Sequence, residues 1–212
     1  MVESDPRTLD STTPRGPAAR ARIMGVADRL FYRDGIHATG IDRLIAEAQT
    51  TKATFYKHYG AKDAVILAYV QGRADREADR YRAAAADNLD GIGVIHAMVK
   101  QVTAEISQPS YRGNALTNAA VEFPQGSHPV RQLVAMHRDW VTDFLTGIFE
   151  RAGSRRPGDD ADQFLLAVDG AQCGSYSGDP IASRAAFARI TSSMVDTLES
   201  AGRPSSTAGS RA

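Results

Sequence analysis

Residues 39–62 read Thr-Gly-Ile-Asp-Arg-Leu-Ile-Ala-Glu-Ala-Gln-Thr-Thr-Lys-Ala-Thr-Phe-Tyr-Lys-His-Tyr-Gly-Ala-Lys. Ile41, Leu44, Ile45 and Ala48 recur at helical spacing. Phe55 and Tyr59 do the same one polar turn later, as the inward anchors of a second helix. The stretch predicts short helices over about 41–48 and 52–58. The second of them crowds Thr51, Lys52, Thr54, Tyr56, Lys57 and His58 into eight residues. All can donate hydrogen bonds and two carry fixed positive charge, which suits a helix laid on DNA.

Each position has a physical part to play. Thr51 stands at the helix start, where its hydroxyl can cap exposed N–H groups. A helix N-terminus aimed at DNA also attracts a phosphate oxygen. Lys52 and Ala53 sit at the tip that would enter the major groove, and a side chain as small as Ala53 lets the helix approach base edges or a thymine methyl. Tyr56 and Lys57 can reach phosphates or bases, and Lys62 a further phosphate. With Thr39, Thr50, Thr54 and His58 they make up the candidate DNA-contact set. The plain alternative is a polar helix face that merely meets solvent.

The bulk of the chain is compatible with such a partner. Its 212 residues are 42% hydrophobic, enough for a real core, and its 25 basic and 25 acidic side chains cancel. Splitting the chain uncovers an asymmetry. Residues 1–62 hold 10 Lys/Arg against 7 Asp/Glu, a balance of +3, and the remainder 15 against 18, a balance of −3. A single cysteine, Cys173, excludes an intramolecular disulfide and argues against a thiolate zinc site. No apolar run approaches the roughly 18–20 residues of a membrane span. The polar Met-Val-Glu-Ser-Asp-Pro-Arg start has no signal core, so a reducing, cytoplasmic location without membrane contact is expected.

Residues 1–16 and 202–212, rich in Pro, Ser, Thr, Gly and Arg, read as flexible arms. Between them the spacing is helical throughout, giving an all-α chain of about nine helices. The first spans about 17–34, with Ile23, Val26, Ala27, Leu30 and Phe31 inward and Gly35 as its stop. A fourth begins near Ala61 and runs to about Ala84. Ile95, Met98, Val99, Val102 and Ile106 mark a fifth, ending before Pro109, and Leu116 to Phe123 a sixth, stopped by Pro124. The next is apolar on two faces, Leu133/Trp140/Phe144/Ile148 and Val130/Val134/Val141/Leu145, which makes it central. A loop at 153–160 leads to helices over about 161–176 and 181–200.

From Arg22 to Val70 the chain resembles the DNA-binding domain of the TetR family of transcriptional regulators. Ile23, Ala27, Phe31, Gly35, Thr39, Ile41, Ile45, Ala48, Thr51, Thr54, Phe55, Tyr56, Tyr59, Lys62 and Asp63 carry the likeness. Arg112–Phe123, His128-Pro129-Val130 and Val168–Ala171 look like one C-terminal branch of the same family. The resemblance implies a homodimer whose helix-turn-helix domain, residues 17–62, binds a palindromic double-stranded operator. It further implies a larger domain, residues 63–201, with an inducer pocket and the dimer interface. One departure stands out: Gln49 occupies the turn position where the family usually has glycine, at a left-handed cost of roughly 1 kcal/mol.

On that footing the last two helices would pair with their symmetry mates in a four-helix bundle, through Phe164, Leu165, Val168, Phe187, Ile190, Met194 and Leu198. Tyr69, Met98, Val102, Phe123, Trp140, Phe144 and Tyr176 would line a mostly apolar inducer cavity, the plain alternative for each being ordinary core. Arg15, Arg20 and Arg22 either line a minor groove or keep an arm soluble. His96, His128 and His137 lack paired ligand spacing, so no metal, cofactor or catalytic group is expected. Cys173 reads as a small buried residue at a helix interface, and Asp159-Asp160 as the acidic start of a helix. The expected function is a repressor released from its operator by a small inducer. The competing readings are a helical enzyme or ligand carrier, and an architectural DNA-binding protein without an inducer.

Overall fold

A computed structural model describes residues 16–87 and 90–201. Those residues form nine α-helices and no strand. The helices are α1 (Gly16–Asp34), α2 (Ile41–Glu47), α3 (Lys52–Tyr59), α4 (Lys62–Ala86), α5 (Gly91–Ile106), α6 (Ala115–Glu122), α7 (Pro129–Arg151), α8 (Pro157–Ser177) and α9 (Pro180–Ala201). Apart from Gly16, which opens α1, the arms read from the sequence lie outside the described residues. None of the described helices is long and apolar enough to cross a membrane.

The chain divides into two compact units, one ending at Ile66 and the other beginning at Leu67. In the first, α1 contributes Ala19, Ile23, Ala27, Leu30 and Phe31 to a closed core with Leu44, Ile45 and Phe55. Gly35 ends α1 at φ 98°, a backbone that a side chain would strain. Val65 and Ile66, from the start of α4, are buried and belong to this unit. The division therefore falls a turn later than the expected 62/63 boundary.

In the second unit α7 and α8 pack on each other, α9 packs on α8, and α5 runs against all three. Their shared core holds Val94, Ile95, Met98 and Val102 from α5, Val141, Leu145, Ile148 and Phe149 from α7, and Phe164, Leu165, Phe187 and Met194 from α8 and α9. An aromatic chain crosses it: Phe149 stands edge-on to Phe164 at 6.1 Å, and Phe164 lies 6.4 Å from Phe187. The sequence leads one to expect a loop over 153–160, but α8 already starts at Pro157. The reason is local: proline in the first turn has its φ preset and loses no hydrogen bond there. Asp159 and Asp160 then sit in the first turn of α8, as expected of a helix start.

Gly91, the first residue of α5, is where two helices touch backbone to backbone. A Cβ there would stand 2.8 Å from Ala152 Cα and closer still to the Ile148 carbonyl oxygen and the Ala152 nitrogen. Gly91→Ala should therefore destabilise the second unit by about 1–3 kcal/mol in urea unfolding. Gly147→Ala, within α7 and with open space at its Cβ, should stabilise by about 0.5–1 kcal/mol. Equal effects of the two would contradict the close approach of α5 to the end of α7.

Candidate nucleic-acid interface and ligand cleft

The connection between α2 and α3 is built by backbone geometry. Thr50 N donates to Ile45 O at 3.1 Å and Gln49 N to Ala46 O at 3.1 Å, the paired bonds of a Schellman C-cap. Its closing residue is Gln49 at φ 48°, so the expected left-handed turn is present without glycine. Arg22 on α1 reaches across: its Nε donates to Ala48 O at 3.2 Å and its terminal nitrogen to Gln49 O at 3.4 Å. These satisfy carbonyls that the end of α2 leaves open. Arg22 thus serves the turn; no local pattern could have shown this across 26 residues of sequence.

From that turn the chain enters α3. Thr51 is its N-cap, the hydroxyl accepting from Thr54 N at 3.1 Å and lying 2.9 Å from the Thr54 hydroxyl. Phe55 is wholly buried and anchors the helix, with Tyr56 edge-on at 5.5 Å and Tyr59 at 6.0 Å. Tyr59 is tied back to α1, its hydroxyl donating to Arg20 O at 3.2 Å while the Arg20 guanidinium lies 5.7 Å from its ring. Of the arm arginines, Arg20 therefore braces α3, and Arg15 lies outside the described residues.

Burying Phe55 leaves Thr51, Lys52, Ala53, Tyr56 and Lys57 exposed on α3, with Thr50, Thr54 and His58 half-buried beside them. Eight of the ten candidate DNA contacts thus reach solvent together. The other two are placed differently. Thr39 is fully buried and its hydroxyl donates to Gly35 O at 2.8 Å, so it closes the α1 turn and its side chain is not available to DNA. Lys62 donates from Nζ to Ile36 O at 2.7 Å and lies 6.0 Å from the Phe31 ring, so its first task is to hold the same turn. Lys52 pairs with Asp42 at 2.9 Å, both highly exposed, and that hydrogen bond holds its ammonium above the ordinary lysine range. DNA must compete with Asp42 for this cation.

On the α1–α2 surface, charges are interlaced. Arg33 and Arg43 meet Asp34 at 2.7 and 2.8 Å, and Arg29 and Arg43 meet Glu47 at 2.7 and 2.9 Å. The Arg33 hydrogen bond, with Arg43 adding to it, holds the Asp34 carboxyl at about 2 instead of 3.8. Arg29 and then Arg43 lower Glu47 in the same way.

The second unit contains a cleft of another character. An inner chamber of about 50 Å³ and an outer cleft of about 360 Å³ are both bordered by Asn114, Thr117, Arg138, Asp169 and Gln172. Arg138 is clamped by Asp169 at 2.6 and 3.0 Å. Deeper in, His137 Nε2 lies 3.3 Å from Glu77 Oε2, and the Tyr81 hydroxyl donates to Glu77 at 3.2 Å. Burial, then the nearby Glu77 charge, pushes the Tyr81 phenol well up, so it stays a neutral donor.

The cleft is walled by residues other than the expected aromatic set. Of that set only Tyr176 borders the cleft. Met98 and Val102 belong to the solid core, and Trp140 and Phe144 stack against it, 5.3 Å from each other. Tyr69 is buried under the Arg73 guanidinium, and Phe123 stacks at 4.2 Å on His128, whose ring nitrogen caps α7. Cys173 is exposed at the rim of the outer cleft, not buried, because it stands off the stripe of Phe164, Leu165, Val168, Ala171 and Gln172 that α8 turns inward.

The expected dimer residues are similarly occupied. Phe164, Leu165, Val168, Phe187, Met194 and Leu198 are buried in the protomer's own core and have little surface left for a second chain. Ile190 alone is exposed, at 42%, and it borders a hollow of about 370 Å³ on α8 and α9. Leu166, Tyr176 and Ile181, outside the expected set, are the other large apolar side chains that α8 and α9 expose.

A helix-turn-helix with a capped, exposed and cationic second helix defines a DNA-binding protein of the regulator type. Comparison with known proteins gives the family. Residues 23–69 match the family model of bacterial regulatory proteins, tetR family. A TetR-family transcriptional regulator from Streptomyces coelicolor shares 33% identity and a TM-score of 0.82, over 86% of this chain and 96% of its own. A TetR-family regulator from Agrobacterium tumefaciens, at 19% identity and a TM-score of 0.72 over 86% and 98% of the two chains, shows the same fold. The HTH-type transcriptional regulator UidR of Escherichia coli K12 is 23% identical over 44% of this chain, and the match spans 46% of UidR's own length. The chain belongs to the TetR family of bacterial transcriptional regulators.

Two measurements test the first unit. Gln49→Gly should stabilise it by about 1 kcal/mol, read as slower amide exchange in α2 and α3; faster exchange would show that the Gln49 side chain matters more than its backbone. The lowered Asp34 carboxyl contributes stability that is complete above 3.8 and is lost as pH falls towards about 2. Asp34→Asn should flatten the acid limb of the thermal midpoint in that window, and an unchanged limb would remove Arg33 and Arg43 from the account.

Proposed function

We propose that this DNA-binding regulator is a homodimeric repressor that a small ligand releases from a palindromic operator, acting in the cytoplasm. The observation that carries the DNA reading is α3 itself: anchored by Phe55, capped by Thr51, and braced by Tyr59 and Arg22, it offers Ala53, Tyr56 and Lys57 outward. Ala53 is small enough for close approach to base edges, while Lys57 and the Tyr56 hydroxyl serve as phosphate or base contacts. Two such helices in a two-fold dimer address half-sites about 34–36 Å apart, one turn of DNA. For the partner surface, support comes from Leu166, Ile181 and Ile190 on the last two helices, apolar and 42–72% exposed.

The ligand reading is supported by the cleft bordered by Gln172, a site of small-molecule size in a unit separate from the DNA-contact helix. A ligand there weakens DNA binding only by the difference in its affinity for two conformations of the dimer. The lining combines apolar side chains, Leu116, Val134, Val141, Leu165 and Val168, with polar ones, which fits a ligand that has an apolar body.

DNA selected from a random pool provides the test. Lys57→Ala should weaken binding across sequences and reduce the slope of log affinity against log salt by about 1. Tyr56→Phe with Lys57→Ala should weaken it further. Normal affinity in the double variant, or affinity indifferent to salt, would remove α3 as the contact helix.

A further inference from the structure

Gln172 is the least expected residue of the cleft. It is a polar side chain only 5% exposed, and it borders both the inner chamber and the outer cleft. Its orientation follows from a chain of hydrogen bonds that begins at a helix cap. Asn114 caps α6, its Oδ1 accepting from Leu116 N at 2.9 Å and Thr117 N at 3.0 Å. That fixes Oδ1 as the acceptor end and Nδ2 as the donor end of Asn114. Nδ2 donates to Gln172 Oε1 at 3.3 Å, which fixes the second amide in turn. The Tyr111 hydroxyl, donating to Gln172 O at 3.3 Å, holds the α8 backbone at this point. The Nε2 group of Gln172 is left as a donor with no acceptor among the described residues. The Nε2 group is therefore open to the cleft, where water or a ligand atom can accept from it.

The charged groups of the same space already have partners inside the protein. Arg138 is held by both oxygens of Asp169, and His137 lies against Glu77. An ionic ligand would have to displace Asp169 from Arg138, or Tyr81 and His137 from the two oxygens of Glu77, while giving up its own hydration. Leu116, Val134, Val141, Leu165 and Val168 supply the apolar part of the inner wall.

We infer that the cleft binds an uncharged ligand with an apolar body and a carbonyl-type acceptor, an amide or ketone, which takes the hydrogen bond from Gln172 Nε2. The inference deepens the reading of this chain as a ligand-responsive regulator and rests on the same cleft.

The test uses three fragments of one shape and different charge: 4-fluorobenzamide, 4-fluorobenzoate and 4-fluorobenzylammonium. Their binding to the full chain is followed by fluorine NMR line width at up to about 10 mM. The amide should bind, the two ions at least tenfold more weakly. Alkylating Cys173, the chain's only cysteine and part of the cleft rim, should block the amide. Gln172→Leu should cost about tenfold in amide affinity. Gln172→Glu keeps an acceptor for Asn114 and turns the free donor into a carboxylate, so it should shift preference to the benzylammonium. No amide binding, equal or tighter binding of either ion to the wild-type chain, or unchanged amide affinity in both variants would overturn the inference. Affinity for selected DNA, measured alongside, separates the two levels. An amide that binds the cleft without changing DNA affinity keeps the ligand chemistry and ends the inducer reading. DNA release by a charged fragment alone keeps the inducer reading and ends the proposed chemistry.

Discussion

The DNA-binding unit depends on one left-handed residue. Gln49, at φ 48°, reverses the chain between α2 and α3, and everything that α3 offers to DNA is aimed by that reversal. A glutamine in this conformation is costly by itself, roughly 1 kcal/mol. Two Schellman hydrogen bonds and the Arg22 guanidinium offset that cost by satisfying the carbonyls at the end of α2. The bracing arginine comes from the middle of α1, so the turn and the helix beneath it are a single construction. Phe55 and Tyr59 complete it by pinning α3 from the other side.

The sequence reading of this unit succeeded where local rules apply. Apolar spacing located α1, α2 and α3 within a residue or two, because each helix has one buried stripe and α1 has a recognisable stop at Gly35. The Thr51 cap was legible for the same reason. What escaped were side chains whose partners are remote in sequence. Nothing near Thr39 or Lys62 announces that they close the α1 turn, through Gly35 O and Ile36 O. Nothing near Lys52 announces Asp42.

In the second unit the same logic leaves each position open between pocket and ordinary core. The aromatic and methionine positions looked like the walls of a cavity because they are apolar and regularly spaced. Those two properties are what a close-packed core selects, and Met98, Val102, Trp140 and Phe144 went into or against it. Space was left between polar side chains, Asn114, Arg138, Asp169 and Gln172, and a different apolar group, Leu116, Val134, Val141, Leu165 and Val168. The link from Asn114 to Gln172, 58 residues away, has no local signature in the sequence. The last two helices show the same competition, their best apolar residues being taken by the protomer itself and only Ile190 of the expected set left outside.

The proposed function places the exposed tip of α3 in the major groove of DNA. Affinity cleavage reads that placement directly. In a Cys173→Ser background, Ala53→Cys carrying an iron chelate should cut selected DNA at two clusters about 10 base pairs apart, offset as major-groove cleavage requires. Cuts spread evenly along the DNA, or none near the bound site, would place another surface of the protein on the DNA and contradict the account.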